Sequence, residues 1–179
     1  MTAIQEQNLS KVKYTPESYE TEMNFMDEKG TYTVKIESVD SDEASSLLEE
    51  LSRKLEHLTG SSGNSSFDIR DIDDTRAVFA IARNQWGEAV GCGAIRPLNE
   101  HTAEIKRVYS RIKKAGIGKG IVCFLEAQAK ALGYKSVCLE TRIVNHNAVA
   151  FYKKLGYKVI PNYGKYFNRS EAVCFEKKI

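Results

Sequence analysis

The residues with most to say about chemistry lie between Ser110 and Gly120, SRIKKAGIGKG, where Gly116, Gly118 and Gly120 fall within five positions, beside Lys113, Lys114 and Lys119. Glycine costs about 1 kcal/mol relative to alanine inside a helix, so helix propensity does not explain three of them ahead of an apolar-periodic run. They give access to the backbone. A helix start carries unpaired N–H groups and the positive end of the helix dipole, and glycine lets an anion reach both.

Spacing narrows the choice of anion. A mononucleotide loop needs GxxxxGK[ST], and here Lys119 precedes Gly120 instead of following it. A dinucleotide fingerprint GxGxxG starting at Gly116 needs glycine where Ile121 stands. Cys92, Cys123, Cys138 and Cys174 form no CxxC pair, and only His57, His101 and His146 could join them. Reduced, largely buried thiols are therefore expected, and no metal site.

Several elements must hold this loop. Residues 1–30 read as a polar N-terminal extension that packs weakly, with Thr15-Pro16 suited to a helix start. Residues 31–179 read as one domain. Residues 31–39 alternate as a strand, with Tyr32, Val34 and Ile36 on one face. Ser41 and Asp42 can cap a helix in which Leu47, Leu48, Leu51, Leu55 and Leu58 recur at helical spacing as far as Gly60. Residues 77–82 and 89–95 form a hairpin around Gly87, and residues 103–109 are a third strand that delivers the glycine loop. The periodicity then predicts a helix over 121–132 closed by Gly133, a strand over 135–141 and a helix over 145–155 ended by Gly156. The last strand region starts at Tyr157 and continues to AVCFEKK.

At two places the sequence resembles the GNAT superfamily of acetyl-CoA-dependent N-acetyltransferases. Lys113-Lys-Ala-Gly116-Ile-Gly118, at the start of the central helix, is similar to that family's Arg/Gln-x-x-Gly-x-Gly/Ala signature, with lysine in the first place. Asn145-His-Asn-Ala-Val-Ala-Phe-Tyr152-Lys-Lys-Leu-Gly-Tyr157 is similar to its second motif, an asparagine followed by a small helix with a tyrosine and LGF/LGY. The resemblance covers residues 31–179. It implies an α/β fold of α+β type: a mixed, mostly antiparallel central sheet with a splayed central strand pair and helices on both faces.

The resemblance also implies acetyl-CoA as donor and coenzyme A as product. Val108, Tyr109 and Ser110 would then run along the pantetheine arm. Lys113, Lys114, Ala115, Gly116, Ile117, Gly118, Lys119 and Gly120 would cradle the pyrophosphate. Asn145 would cap its helix, help to splay the strands and touch the cofactor. The implied reaction is direct attack by a primary amine in a ternary complex. An amine with a pKa near 10.4 must lose a proton first, and the departing thiolate, from a thiol of pKa about 8.5, gains from receiving one. The resemblance puts the base at Glu104 and the acid at Tyr152, with Glu140 and His146 as further candidates for the base. A non-catalytic acyl-CoA sensor or partner-binding protein on the same fold stays open, because fold alone does not dictate function.

Charge and hydropathy set the outer limits. The chain has 179 residues, 42% hydrophobic, with a net charge of +2. Residues 1–60 carry 13 acidic and 6 basic residues, whereas residues 101–179 carry 5 and 16. Part of this basic charge is concentrated between Lys106 and Lys119, at the glycine loop, which suits a local anionic ligand better than a nucleic acid. No apolar run approaches the roughly 18 residues that cross a bilayer, and no secretory leader precedes the domain, so a cytoplasmic protein without membrane contact is expected. The acceptor amine is unassigned. The first helix with its SSGNSS loop, the hairpin and residues 162–169 are expected to shape its site, with Tyr163 and Tyr166 as walls. Asp68, Asp71, Asp73 and Asp74 would attract a cationic amine. Oligomeric state is open, a dimer included.

Overall fold

The structure is a computed structural model that describes residues 21–27, 30–64 and 67–179, so the helix start expected at Thr15-Pro16 lies outside the described residues. Ser41 accepts a hydrogen bond from the Ala44 N–H at 3.2 Å and so starts helix α1 (Asp42–Thr59). Gly60, in the left-handed region at φ 72°, ends the helix with its N–H bonded to the Glu56 carbonyl at 2.9 Å. Ala44, Leu47 and Leu51 are its buried stripe.

The strands are β1 (Glu22–Asp27), β2 (Gly30–Ile36), β3 (Val78–Asn84), β4 (Ala89–Pro97), β5 (Thr102–Ser110), β6 (Ser136–Arg142), β7 (Lys158–Ile160) and β8 (Ala172–Lys178), with helices α2 (Ile117–Ala131) and α3 (His146–Lys154) between them. They form one sheet in the order β1-β2-β3-β4-β5-β6-β8-β7. Every neighbouring pair is antiparallel except β5 and β6. Residues of β3 and β4 are buried almost throughout because both faces are covered. Ala80, Ala82 and Ile95 join the core under α2, while Phe79, Ile81, Cys92 and Ala94 join the core under α1. A sheet buried on both faces turns alternation into a continuous apolar run.

Two boundaries differ from the sequence reading. β1 lies inside the segment read as a weakly packed extension. Its strand signal is faint, because only Met23 and Phe25 turn to the core, where Phe25 stacks on Tyr32 at 5.2 Å between ring centroids. Helix α2 begins at Ile117 rather than at residue 121, so Gly118, Lys119 and Gly120 belong to its first turn. Gly120 is there for packing: a Cβ on it would clash with the Tyr32 ring and hydroxyl.

Candidate active site

β5 and β6 pair only through Thr102, Ala103 and Glu104 against Ser136, Val137 and Cys138, and then part. The opening is a cleft of about 270 Å³ lined by Val108, Glu140, Asn145, Tyr152, Tyr166 and others. Among the described residues no strand pairs with the edge of β5 along it. The Arg111 N–H bonds the Val90 carbonyl at 2.8 Å and Ser110 lies opposite Gly91, so by the alternation of an antiparallel ladder the backbone groups of Ser110 point to the open side. A register shift between Cys92 and Ala94 puts an extra residue into β5, with Arg107 at φ 56°. This bulge bends the strand at the cleft, beside Val108.

Directly after this open edge comes the start of α2. Gly116 holds the left-handed conformation at φ 66°, no side chain caps it, and the first turn carries no acidic residue. The first bond within the helix runs from the Gly120 N–H to the Gly116 carbonyl at 2.9 Å, so Ile117, Gly118 and Lys119 have no intrahelical acceptor for their N–H groups. Tyr32 of β2 pins this turn by donating its hydroxyl to the Gly116 carbonyl at 3.0 Å. Lys113, Lys114 and Lys119 are exposed around it, while Ala115 and Ile117 anchor it in the core. Arg111 is held elsewhere, on the Glu50 carboxylate of α1 at 2.7 Å. The side chain of Tyr109, expected beside the donor, instead packs on the opposite face, donating to Glu50 at 3.0 Å and accepting from Lys54 at 2.8 Å.

Two carboxylates stand on the face opposite α2. Glu104 is sealed at 1% exposure. Its Oε2 takes two bonds from Arg96, at 3.0 and 2.8 Å, and its Oε1 takes Tyr163 at 3.0 Å, with Tyr166 and Lys106 each at 3.4 Å. Burial pushes this carboxyl up, yet Lys106, Arg96 and Tyr163 together outweigh burial and hold it below the usual carboxylate range. Glu104 is absent from the cleft wall. Glu140, further along β6 and past the point of separation, lines the cleft, and there burial prevails over Lys106 and Arg142 and pushes its carboxyl up. His146 lies exposed in the first turn of α3.

Tyr152 of α3 lines the cleft with its ring buried against Phe151 and Tyr157, and burial pushes its hydroxyl pKa up. Asn145 caps α3, accepting the Ala148 N–H at 3.2 Å, and also lines the cleft. An open strand edge, an uncapped helix N-terminus and a cleft between them can together hold an extended ligand with an anionic end.

The sequence relationships agree with this geometry. Residues 39–157 match the Acetyltransferase (GNAT) family. The chain belongs to that family. This GNAT acetyltransferase is 31% identical over 82% of its length to a protein of Azospirillum brasilense named IAA acetyltransferase, and the match spans 97% of that relative. A Klebsiella pneumoniae structure, described as a candidate acyl-CoA N-acyltransferase, superposes with a TM-score of 0.70 at 29% identity, covering 82% of this chain and 97% of that one. An Elizabethkingia anophelis GNAT acetyltransferase, described with acetyl-CoA bound, shares the fold at a TM-score of 0.61 and 16% identity, over 83% and 98% of the two chains. The protein is an acyltransferase, and acetylation from acetyl-CoA is the general reaction of its family.

The acceptor side of this GNAT domain differs in part from the sequence reading. Leu51 and Leu55 of α1, Ser61 and Gly63 after it, and Lys165, Tyr166 and Arg169 line the cleft. The β3–β4 hairpin does not, and neither do Asp68, Asp71, Asp73 and Asp74; Asp71 is bonded to Arg96. Sequence reasoning missed Lys106, Arg107 and Arg142 as cleft residues. Strand alternation places Lys106 and Arg142 on one face but cannot say that the face is a cleft. The bulge at Arg107 leaves no mark in the sequence.

Proposed function

We propose that the protein transfers the acetyl group of acetyl-CoA directly to a primary amine bound in the cleft. The observation that carries this reading is the continuity of the unpaired β5 edge with the uncapped start of α2. Val108 and Ser110 offer backbone groups to a pantetheine arm, as an added strand would receive them. The first-turn amides of Ile117, Gly118 and Lys119, in the turn that runs from Gly116 to Gly120 with Lys113, Lys114 and Lys119 around it, receive the phosphates. Bound acetyl-CoA would supply the acetyl group as an activated thioester.

Two side chains handle the protons. Glu140, in place of Glu104, takes the proton from the amine: it faces the cleft, and its raised pKa brings it nearer the working range of a general base. Tyr152 keeps its proton at neutral pH and stands ready to give it to the departing sulfur. Glu104 serves as the counter-ion that fixes Arg96 and Lys106. None of the four cysteines lines the cleft, and burial pushes the Cys138 thiol up to about 12, in keeping with direct attack rather than an acetyl-cysteine.

The test is release of free thiol from acetyl-CoA across a panel of primary amines, with thermal shift recording coenzyme A binding. Amine-dependent release at saturable rates is expected. Binding without turnover for every amine would replace the enzyme with an acyl-CoA sensor. Recovery of a stable acetyl-cysteine competent for transfer would overturn direct attack.

A further inference from the structure

Arg107 is in an unusual position for a half-buried cation. It is the bulge residue of β5, and its guanidinium lies between the cleft and an adjoining hollow beneath α1 lined by Leu48, Ser52, Asn64 and Phe67. One amino group donates to the Ser62 carbonyl at 3.2 Å and the other to Asn64 Oδ1 at 2.7 Å, and the group lies over the Phe67 ring at 5.5 Å. Its Nε is buried with no hydrogen-bond partner, and among the described residues no carboxylate pairs with it. Other arginines packed on this sheet are matched: Arg83 with Glu37 at 2.7 Å, Arg96 with Glu104 at 2.8 Å and Arg111 with Glu50 at 2.7 Å. Burying a guanidinium without a carboxylate is costly, and burial indeed lowers its pKa.

The hollow carries Glu49 and Glu56 beside Arg53, whereas on the cleft side basic residues prevail. Lys106, Arg107, Arg142, Lys165 and Arg169 line the cleft, and Glu140 is the acidic residue among them. Lys106 donates to Tyr166 at 2.6 Å, and Arg142 reaches Glu171 at 2.9 Å. Such a wall repels a polyamine or a lysine-rich tail and attracts a molecule with negative charge. The cleft, about 270 Å³ and shared with the acetyl end of the donor, leaves room for a small, metabolite-sized acceptor.

We propose that the acceptor is a small amino-carboxylate, an amino acid or a close analogue, whose carboxylate docks on Arg107 while its amine is presented to Glu140. The proposal rests on the acetyl-transfer reading and adds to it the class of acceptor. Arg107 is then a specificity residue, and the missing counter-ion of the free protein is supplied by the substrate. A guanidinium suits this role because its planar fork meets a carboxylate with two parallel bonds.

The experiment compares free α-amino acids with the corresponding amides and decarboxylated amines in the thiol-release assay. The amides have the less basic amine, so reactivity alone favours them. The free acids are expected to lead in kcat/KM by at least about tenfold, through KM, as one charge-assisted contact supplies. Arg107→Gln should bring the acid-to-amide ratio towards one. If that variant melts below the assay temperature, Arg107→Lys, which keeps the charge and loses the fork, should lower the ratio through the KM of the acid. Amides or simple amines matching the acids, or a ratio that survives both variants, would overturn the proposal while leaving acetyl transfer intact. If no amine is acetylated, the transfer reading fails, and calorimetry on the coenzyme A-saturated protein still decides the anion site: tighter binding of acids than amides supports it, and equal binding overturns it.

Discussion

Glu104 and Glu140 are the same residue type on adjacent strands and the same face of the sheet, yet they sit in opposite electrostatic worlds. Glu104 belongs to the part where β5 and β6 are zipped together, and Arg96, Lys106, Tyr163 and Tyr166 converge on it. Glu140 belongs to the part where the strands have separated, and it faces a cleft. Burial raises both carboxyls, but only in the zipped half do enough donors converge to reverse the shift. On the proposed mechanism, Glu140 is usable as a base because it is left under-coordinated, which is a property of the splay.

The difference can be broken most directly at Glu140. Glu140→Gln should lower kcat/KM by about a hundred-fold or more, the usual contribution of a positioned general base, with coenzyme A binding and melting temperature little changed. Glu104→Gln should act on the other axis. It leaves Lys106 and part of Arg96 buried without their counter-charge, a loss on the order of 3 kcal/mol that denaturant titration will show. A stable Glu104→Gln protein with activity abolished would reverse the assignment of the two glutamates.

Tyr152→Phe comes next, with a fall in kcat of about tenfold and unchanged coenzyme A affinity. The effect is expected to be smaller than at Glu140 because a thiolate leaves at neutral pH with less help than an ammonium needs to lose its proton. An unchanged kcat would remove Tyr152 from the proton path.

The smallest expected effect is on the pH profile. A base must be charged to act, so kcat/KM should rise with pH through a limb that lies above the ordinary carboxylate range, because burial raises the Glu140 pKa. Lys106 opposes that rise. Lys106→Met removes a cation that favours the charged carboxylate, so the limb should move to higher pH, by up to about one unit. A limb that stays in place would mean that Glu140 is not the group being titrated.

Much of the scaffold was legible in the chain. Ser41 and Gly60 mark the ends of α1 because capping is local, and Asn145 and Gly156 do the same for α3. β1 was not legible, since Met23 and Phe25 give too short an alternation to stand out from a polar segment. The start of α2 is legible only to within four residues, and spacing suggests a single purpose for three glycines that serve different ones. Gly116 takes a left-handed turn, whereas Gly120 makes room for Tyr32, a contact across 88 residues of chain that no spacing rule reveals.

The sequence by itself determined the family motifs, the helix that follows the glycine loop and the position of Tyr152 and Asn145, because each depends on residues a few places apart. Only the tertiary structure decided which glutamate is sealed and which is open, that Tyr109 turns away from the cleft, and that a half-buried Arg107 stands there without a carboxylate. Those outcomes depend on where β5 leaves β6, which distant elements approach each face, and how their charges sum at one point. Short-range pattern fixes the elements, and long-range electrostatics in a buried site fixes what their side chains can do.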